Sequence, residues 1–355
     1  MFEKLTARME EFMGMGIPGC DCIVYQGGKE VYRHFCGYSD REAKIPMNGE
    51  ERYNIYSCSK PITCVAALQL FEKGCFGLDD ELWHYLPEFK DMAVRTENGL
   101  VPAKNRITIR NLFTMTAGLD YCITSPAIRK VYDQTHGACP TRETIRHIAS
   151  MPLSFEPGAQ WQYSLCHDVI GALIEVVSGM EFNAYLTKNI FQPLGMDRTT
   201  FLIPAAEQDS LAAQYRRYPE SDAICRVGSE NCFRLGSDYA SGGAGAASTV
   251  NDYIKFLEAL RSGETLLKRS TINLLQTHQL NEEQYATSWG ENRYGYGLGV
   301  RCPLPGGNRT DFGWGGWAGA YLAVDLALDL TMFYAQHVLS APNVAERGNL
   351  IQDVK

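Results

Sequence analysis

The sequence predicts an α/β protein of the α+β kind: an antiparallel sheet flanked by helices, built from both ends of the chain, with an all-helical segment inserted between them. Three observations carry this. β-rich runs stand near the N-terminus at residues 22–26 and 29–36, and similar runs return with many glycines after about residue 230. Between about 76 and 225 the chain is mostly helical patches separated by Pro and Gly breaks. The division that follows is a discontinuous sheet domain of residues 1–75 and 230–355 and a helical domain of residues 76–229.

Taken in order, residues 1–11 carry charges throughout and read as an amphipathic helix, not a signal peptide. Gly27-Gly28 between the first two β runs signals a hairpin. A strand-like run at 53–56 meets residues 62–71, which are apolar nearly all round and therefore predict a buried helix, stopped by Lys73-Gly74. Further helices are expected at 107–115, 142–150, 169–178, 182–190 and 251–261. Strands are expected at 296–301, 320–324 and 330–336. The longest apolar stretch, 321–335, is divided by Asp325 and Asp329 into two strands, so no membrane span is expected.

Hydrophobic residues at 45% and charged residues at 21% are the proportions of a soluble globular protein. The net charge of −8 argues against nucleic acid or an anionic membrane as the main partner. Twelve cysteines without an export signal point to free thiols in a reducing, cytoplasmic compartment. Cys20 and Cys22 have no second pair at zinc-like spacing, so neither a metal site nor a cofactor is expected.

The stretch that carries chemistry is Tyr56-Ser57-Cys58-Ser59-Lys60-Pro61, at the junction of strand-like and helical runs. Residues three apart on a helix share a face, which puts Lys60 in reach of Ser57. A serine hydroxyl is a poor nucleophile without an adjacent base, and a lysine at the start of a buried helix can serve as one. On its own, Ser-x-x-Lys favours an ordinary helix start, because both residues are common. Cys58 is a rival nucleophile on paper, although buried packing is the commoner role of a free cysteine.

Two further stretches change that reading. Residues 152–165 form a turn-rich loop ending in Tyr163-Ser164-Leu165, and Asp311-Phe312-Gly313-Trp314-Gly315-Gly316-Trp317 leads into a strand. With Ser57-x-x-Lys60 they resemble the three motifs of the serine β-lactamase-like family, which includes class C β-lactamases, D-alanyl-D-alanine peptidases and a group of carboxylesterases. Residues 112–119 and 241–249 extend the resemblance over nearly the whole chain. It implies a β-lactamase/transpeptidase-like fold with the active site between sheet and helices. It also implies roles: Ser57 as nucleophile, Lys60 as its proton acceptor or relay, Tyr163 as second acid/base group, and the backbone N–H groups of Ser57 and Trp317 as oxyanion hole. Trp314, Gly315, Gly316, Leu165 and Tyr121 are the implied substrate contacts.

The chain departs from the family's β-lactamases and peptidases at two places. Leu165 stands where they carry an asparagine that binds an acylamino carbonyl, and Trp314 stands where they carry a lysine that helps bind a carboxylate. An indole is instead a flat apolar wall. Both departures are similar to the family's esterases, so the resemblance implies a neutral ester of short or medium acyl chain as substrate. The alternatives are another acyl-transfer enzyme of the family, acting on a β-lactam, an amide or D-amino-acid peptide, or an alcohol or amine acceptor, and a non-catalytic relative that binds an acyl or peptide ligand. Arg301, before the third motif, is the expected fallback for a carboxylate. His136, His147 and His167 do not suggest a Ser-His-Asp triad, and His167 reads as a helix-start residue.

Overall fold

The computed structural model describes residues 2–289 and 294–355. The chain starts with α1 (Glu3–Gly14), whose Leu5, Met9 and Phe12 recur on one face and are fully buried. β1 (Gly19–Gln26) and β2 (Lys29–Asp40) form the expected hairpin, and Gly27 and Gly28 both take positive φ, as its two-residue turn requires. β3 (Ile45–Pro46) and β4 (Arg52–Asn54) are short. In α2 (Ser59–Glu72) only Gln69, Phe71 and Glu72 are partly exposed, as the apolar run predicts.

The middle of the chain corrects one expectation. It is not all-helical: β5 (Ala93–Thr96) and β6 (Gly99–Pro102) form a hairpin ahead of α3 (Ile109–Phe113), α4 (Pro126–Gln134), α5 (Thr141–Ile148) and α6 (Cys166–Ser178). The helix expected over 182–190 is α7 (Phe182–Leu186) followed by a π turn at Thr187–Phe191 and α8 (Gln192–Leu194). Pro193 has no N–H to give the Asn189 carbonyl, and Gln69 Nε2 donates to that carbonyl instead at 3.3 Å. A second hairpin, β7 (Gln214–Tyr218) and β8 (Ala223–Val227), closes the segment.

β9 (Ala247–Thr249) pairs with β4 and runs into α9 (Val250–Ser262), where the Thr249 hydroxyl caps the Asp252 N–H at 3.0 Å. α10 (Arg269–Leu275) and α11 (Glu282–Thr287) follow. The strand expected over 296–301 is instead the bend of a hairpin between β10 (Tyr294–Tyr296) and β11 (Arg301–Pro303). Gly299 takes φ 84°, and the Gly297 N–H closes the bend on Val300 O at 2.8 Å. β12 (Phe312–Gly315), β13 (Tyr321–Asp325), β14 (Leu330–Gln336), β15 (Val338–Leu339), α12 (Val344–Arg347) and α13 (Leu350–Val354) complete the described chain.

Among the described residues the main sheet has eight strands in the order β10-β11-β12-β13-β14-β1-β2-β3, antiparallel throughout. Its centre joins the two chain ends, with Cys20 opposite Gln336 and Gln26 opposite Leu330. The central strands β1, β13 and β14 are buried on both faces, with side chains alternating between them, whereas β2 and β3 at one edge are largely half-buried or exposed. Val24, Ala323, Met332 and Tyr334 pack with α1 and α13; Ile23, Leu322, Val324 and Phe333 pack with α9 and α2. The latter core continues without a break into Leu112, Phe113, Ile170 and Leu173 of the middle segment.

The turn after β15 is fixed by a buried amide pair. Gln336 Nε2 donates to Asn343 Oδ1 at 3.1 Å and Asn343 Nδ2 donates to Gln336 Oε1 at 2.9 Å, both residues being inaccessible to solvent. Replacing one partner strands the other amide in the core, at about 1–3 kcal/mol per unsatisfied group. Asn343→Leu is therefore expected to lower the unfolding free energy by about that amount in urea denaturation. The Gln336→Leu/Asn343→Leu double variant is expected to lose less than the sum of the two singles.

Candidate active site

Ser57 is presented by a strained turn. Tyr56 takes φ 46°, a left-handed conformation that is an outlier for a bulky side chain. Three contacts hold it: its hydroxyl donates to Gln214 Oε1 at 2.6 Å, its carbonyl accepts from Ser59 Oγ at 2.5 Å, and its ring meets Trp317 edge-on at 5.7 Å. The 3₁₀ turn Tyr56–Cys58 then enters α2 directly. Ser57 is left half-buried, while Cys58 points into the core, where burial pushes its thiol up to about 12. The neighbouring thiol is thereby no rival to the hydroxyl.

Four groups converge beneath Ser57. Tyr163 Oη donates to Ser57 Oγ at 2.6 Å, and Lys60 Nζ lies 3.3 Å from the same oxygen. Lys60 is fully buried; its Nζ donates to the Gly243 carbonyl at 2.7 Å and reaches Tyr121 Oη at 3.4 Å. The Tyr121 and Tyr163 rings stack at 5.3 Å and 12°, with Lys60 Nζ 4.4 Å from the centre of the Tyr163 ring. Gly243 has to be glycine, since a Cβ there would lie 2.6 Å from Asp168 Oδ2 and 3.3 Å from Lys60 Nζ. Asp168 accepts from Ser241 at 2.7 Å and Tyr239 at 2.9 Å; burial raises its carboxyl above the ordinary range against those hydrogen bonds and the nearby Lys60.

Above this group lies a cavity of about 400 Å³, walled largely by aromatic rings. Trp289 packs 4.5 Å from Tyr163 and 5.2 Å from Trp161, and Trp314 stacks 6.0 Å from Tyr163. Gly315, Gly316, Trp317 and Tyr121 also line it. A Cβ on Gly316 would stand 2.3 Å from the Ile55 carbonyl, so the end of β12 lies directly against the approach to Ser57. The backbone N–H groups of Ser57 and Trp317 donate to no protein acceptor among the described residues.

The structure thus brings together Ser57, Lys60, Tyr163, Tyr121, Trp314, Gly315, Gly316 and Trp317. Leu165 is a correction. It is 2% exposed, packs in the core and does not line the cavity, because its N–H bonds to Asp120 O at 3.0 Å and turns the side chain under the loop. Arg301 does line the cavity but is already engaged, by Asp311 at 3.0 Å and by the Tyr321 hydroxyl at 2.7 Å. Sequence reasoning missed Gly243, Asp168, Trp161, Trp289 and Arg347. The Gly242-Gly243 pair was the available sign of close approach, and Asp168 was a carboxylate at the start of an otherwise apolar helix.

A family model described as Beta-lactamase matches residues 5–354. The chain belongs to the beta-lactamase family. Within that family it is 33% identical to Esterase EstB of Burkholderia gladioli over 379 aligned positions, covering 97% of this chain and 92% of the esterase. It is 30% identical to monacolin J acid methylbutanoyltransferase of Aspergillus terreus, covering 76% of this chain and 68% of the transferase. Among solved structures, EstCE1, described as a hydrolase with promiscuous acyltransferase activity, superposes with a TM-score of 0.79 at 25% identity over 99% of this chain and 98% of that one. The protein is a serine hydrolase of the beta-lactamase family, on the antiparallel sheet and flanking helices described above. No single helix among the described residues is long and apolar enough to cross a membrane.

His167 lies behind this site, with Nε2 3.7 Å from Cys64 Sγ, and burial, aided by the Lys60 charge, pushes it down to about 3. Its folded value is below the unfolded one of about 6.5, so its contribution to stability is intact above that pH. The contribution is lost as pH falls from about 6.5 toward 3, at about 1.4 kcal/mol per unit. Wild type is expected to lose about 2 kcal/mol more than His167→Gln between pH 7 and pH 5 in urea denaturation.

Proposed function

We propose that the protein is a carboxylesterase that turns over neutral esters of short to medium acyl chains through an acyl-enzyme on Ser57. The observation that carries this reading is Ser57 Oγ held between Tyr163 Oη at 2.6 Å and Lys60 Nζ at 3.3 Å, under a cavity with aromatic walls. Ser57 Oγ attacks the ester carbonyl carbon as its proton passes to the Lys60 and Tyr163 pair. The carbonyl π electrons move onto oxygen, where the N–H groups of Ser57 and Trp317 receive the charge. Collapse breaks the bond to the alcohol oxygen, which takes the proton back, and water repeats the sequence on the acyl-enzyme.

The substrate class follows from what the walls lack. A β-lactam brings a carboxylate toward the position of Trp314, where it would lose water without gaining a lysine, and Arg301 is held by Asp311. An unpaired charged group costs more than the 1–3 kcal/mol of a neutral one, roughly tenfold to several hundredfold in specificity. With Leu165 in the core, the acylamino group meets no wall at that position, so discrimination rests on Trp314. A second reading, transfer of the acyl group from Ser57 to an alcohol, is supported by the likeness to the methylbutanoyltransferase and to EstCE1.

A fluorophosphonate is expected to label Ser57 once per chain, and Ser57→Ala to abolish both labelling and ester turnover. A label on Ser59 or Cys58 would overturn the assignment. Lys60→Ala and Tyr163→Phe are each expected to slow a butyrate ester about a hundredfold or more, with the double variant little worse than the poorer single one.

In kcat/KM, the butyrate ester is expected to exceed a chromogenic cephalosporin by at least tenfold, with Trp314→Lys narrowing the gap. Equal efficiencies would sink the substrate assignment. Adding a primary alcohol and measuring the new ester distinguishes transfer from hydrolysis.

A further inference from the structure

Arg347 is a buried cation with no counter-ion. It is 9% exposed and forms no ion pair among the described residues, whereas the part-buried Arg33 and Arg301 each meet an aspartate, Asp21 and Asp311, and the buried Arg52 meets Glu207. Its Nη1 donates to the Gly316 carbonyl at 3.0 Å, and its Nε has no acceptor. Burying an unpaired charge costs several kcal/mol, a cost that negative charge arriving nearby offsets.

The carbonyl it holds belongs to the peptide whose nitrogen is that of Trp317. The same Gly316 oxygen also accepts from the Gly319 N–H at 3.0 Å, and the Gly316 N–H donates to Ala320 O at 2.7 Å. The peptide is therefore fixed at its oxygen from two directions, while its N–H is unused. The arginine in turn is held by its short helix: the Arg347 N–H donates to Asn343 O at 3.1 Å, and Asn343 is locked to Gln336 of β14.

We propose that Arg347 is a positioning residue for the oxyanion site: by holding the Gly316 carbonyl it fixes and polarises the Gly316–Trp317 peptide, whose N–H takes the charge that develops when Ser57 attacks. This rests on the acyl-enzyme reading above and deepens it. A cation on the carbonyl oxygen draws electron density from the amide and makes its N–H a stronger donor, as in any hydrogen-bonded chain. It also places a full positive charge one peptide away from the developing anion, in surroundings of low dielectric. The effect belongs to the transition state, since a neutral ester presents no such charge on binding.

The test compares wild type with Arg347→Met, Arg347→Gln and Arg347→Lys. Measured are thermal stability, kcat and KM for a neutral butyrate ester and for an anionic succinate half-ester, the affinity for a trifluoromethyl ketone that adds to Ser57, and the rate of fluorophosphonate labelling. Removing an unpaired buried charge is neutral or stabilising, so Arg347→Met is expected to keep or raise the melting temperature. Its kcat and labelling rate are expected to fall roughly tenfold to a hundredfold, within the range for a weakened oxyanion donor, on both esters alike. KM should stay within about twofold, ketone affinity should fall in step with kcat/KM, and Arg347→Lys should recover most of the loss.

Wild-type kcat and labelling rate in Arg347→Met would overturn the proposal. So would a loss confined to KM, or one confined to the anionic ester, which would make Arg347 a carboxylate receptor instead. Labelling needs only a reactive Ser57 and an intact oxyanion site. A wild type that labels but turns over no ester would therefore sink the esterase reading and still decide the role of Arg347.

Discussion

The contact on which the site depends is the hydrogen bond from Lys60 Nζ to the Gly243 carbonyl, 2.7 Å long and shut away from solvent. It ties α2 to the loop before β9, and that loop can approach only because it has no side chains to place. A Cβ on Gly242 would lie 2.2 Å from the His167 carbonyl of α6, and one on Gly243 would strike Asp168. Helix α2, helix α6 and the glycine loop are therefore packed backbone to side chain around one amine. A long, flexible lysine is ordinarily costly to hold still; here its rotamer is fixed by surroundings that tolerate no substitute.

Strain at Tyr56, next to the proposed nucleophile Ser57, is supported by the same rigidity. Tyr56 is held in its left-handed conformation from the side of β7 by Gln214 and from the rings of Trp317 and Phe233. Such a conformation costs of order 1–3 kcal/mol, which the surrounding core has to offset. In return Ser57 leaves the helix axis far enough to meet Tyr163, which comes from a different segment and has no reason to be near it in the unfolded chain. The glycines of β12 let a second strand approach from the other side until Gly316 abuts Ile55. Ser57, Lys60, Tyr163 and the Gly316–Trp317 peptide, the groups proposed for the chemistry, are thus set before any substrate enters, the preorganisation on which such a mechanism relies.

The sequence revealed features that have a local cause. Gly27-Gly28 could only be a tight turn, the apolar run after Lys60 could only be buried, and β14 occupies the range that its β-rich composition outlines. The resemblance of three stretches to a family's motifs was enough to group Ser57, Lys60, Tyr163 and Trp314 into one site, which spacing alone was not. Features set by distant partners were hidden. Leu165 occupies the position of a ligand-binding amide in the motif, yet whether that position faces the cavity is decided by the Asp120 carbonyl, from another loop. The residues taken for a strand at 296–301 look β-like one by one, but two glycines among them make a bend. Trp289 lies far from any motif and Trp161 sits two residues before Tyr163 with no motif role of its own; both reach the cavity through tertiary packing, which no periodicity reports. Arg347 was unreadable for the opposite reason: a charged residue in a short helix looks like surface until its missing partner is noticed.

The pairing of β1 with β14 has a consequence for how the enzyme comes into being. A chain made from its N-terminus exposes the β1–β2 hairpin early, with the inner edge of β1 open, and the strand that covers that edge follows about 300 residues later. Contacts of such sequence separation form late and slowly. Ser57 and Lys60 can meet soon after α2 appears, but the strand that supplies the Trp317 amide docks only with the closing of the sheet. The nascent chain therefore holds Ser57 and Lys60 together before the Gly316–Trp317 peptide is in place beside them. An unfinished chain would be open to edge-to-edge association, so the interval before β14 docks is the one in which a chaperone has most to do.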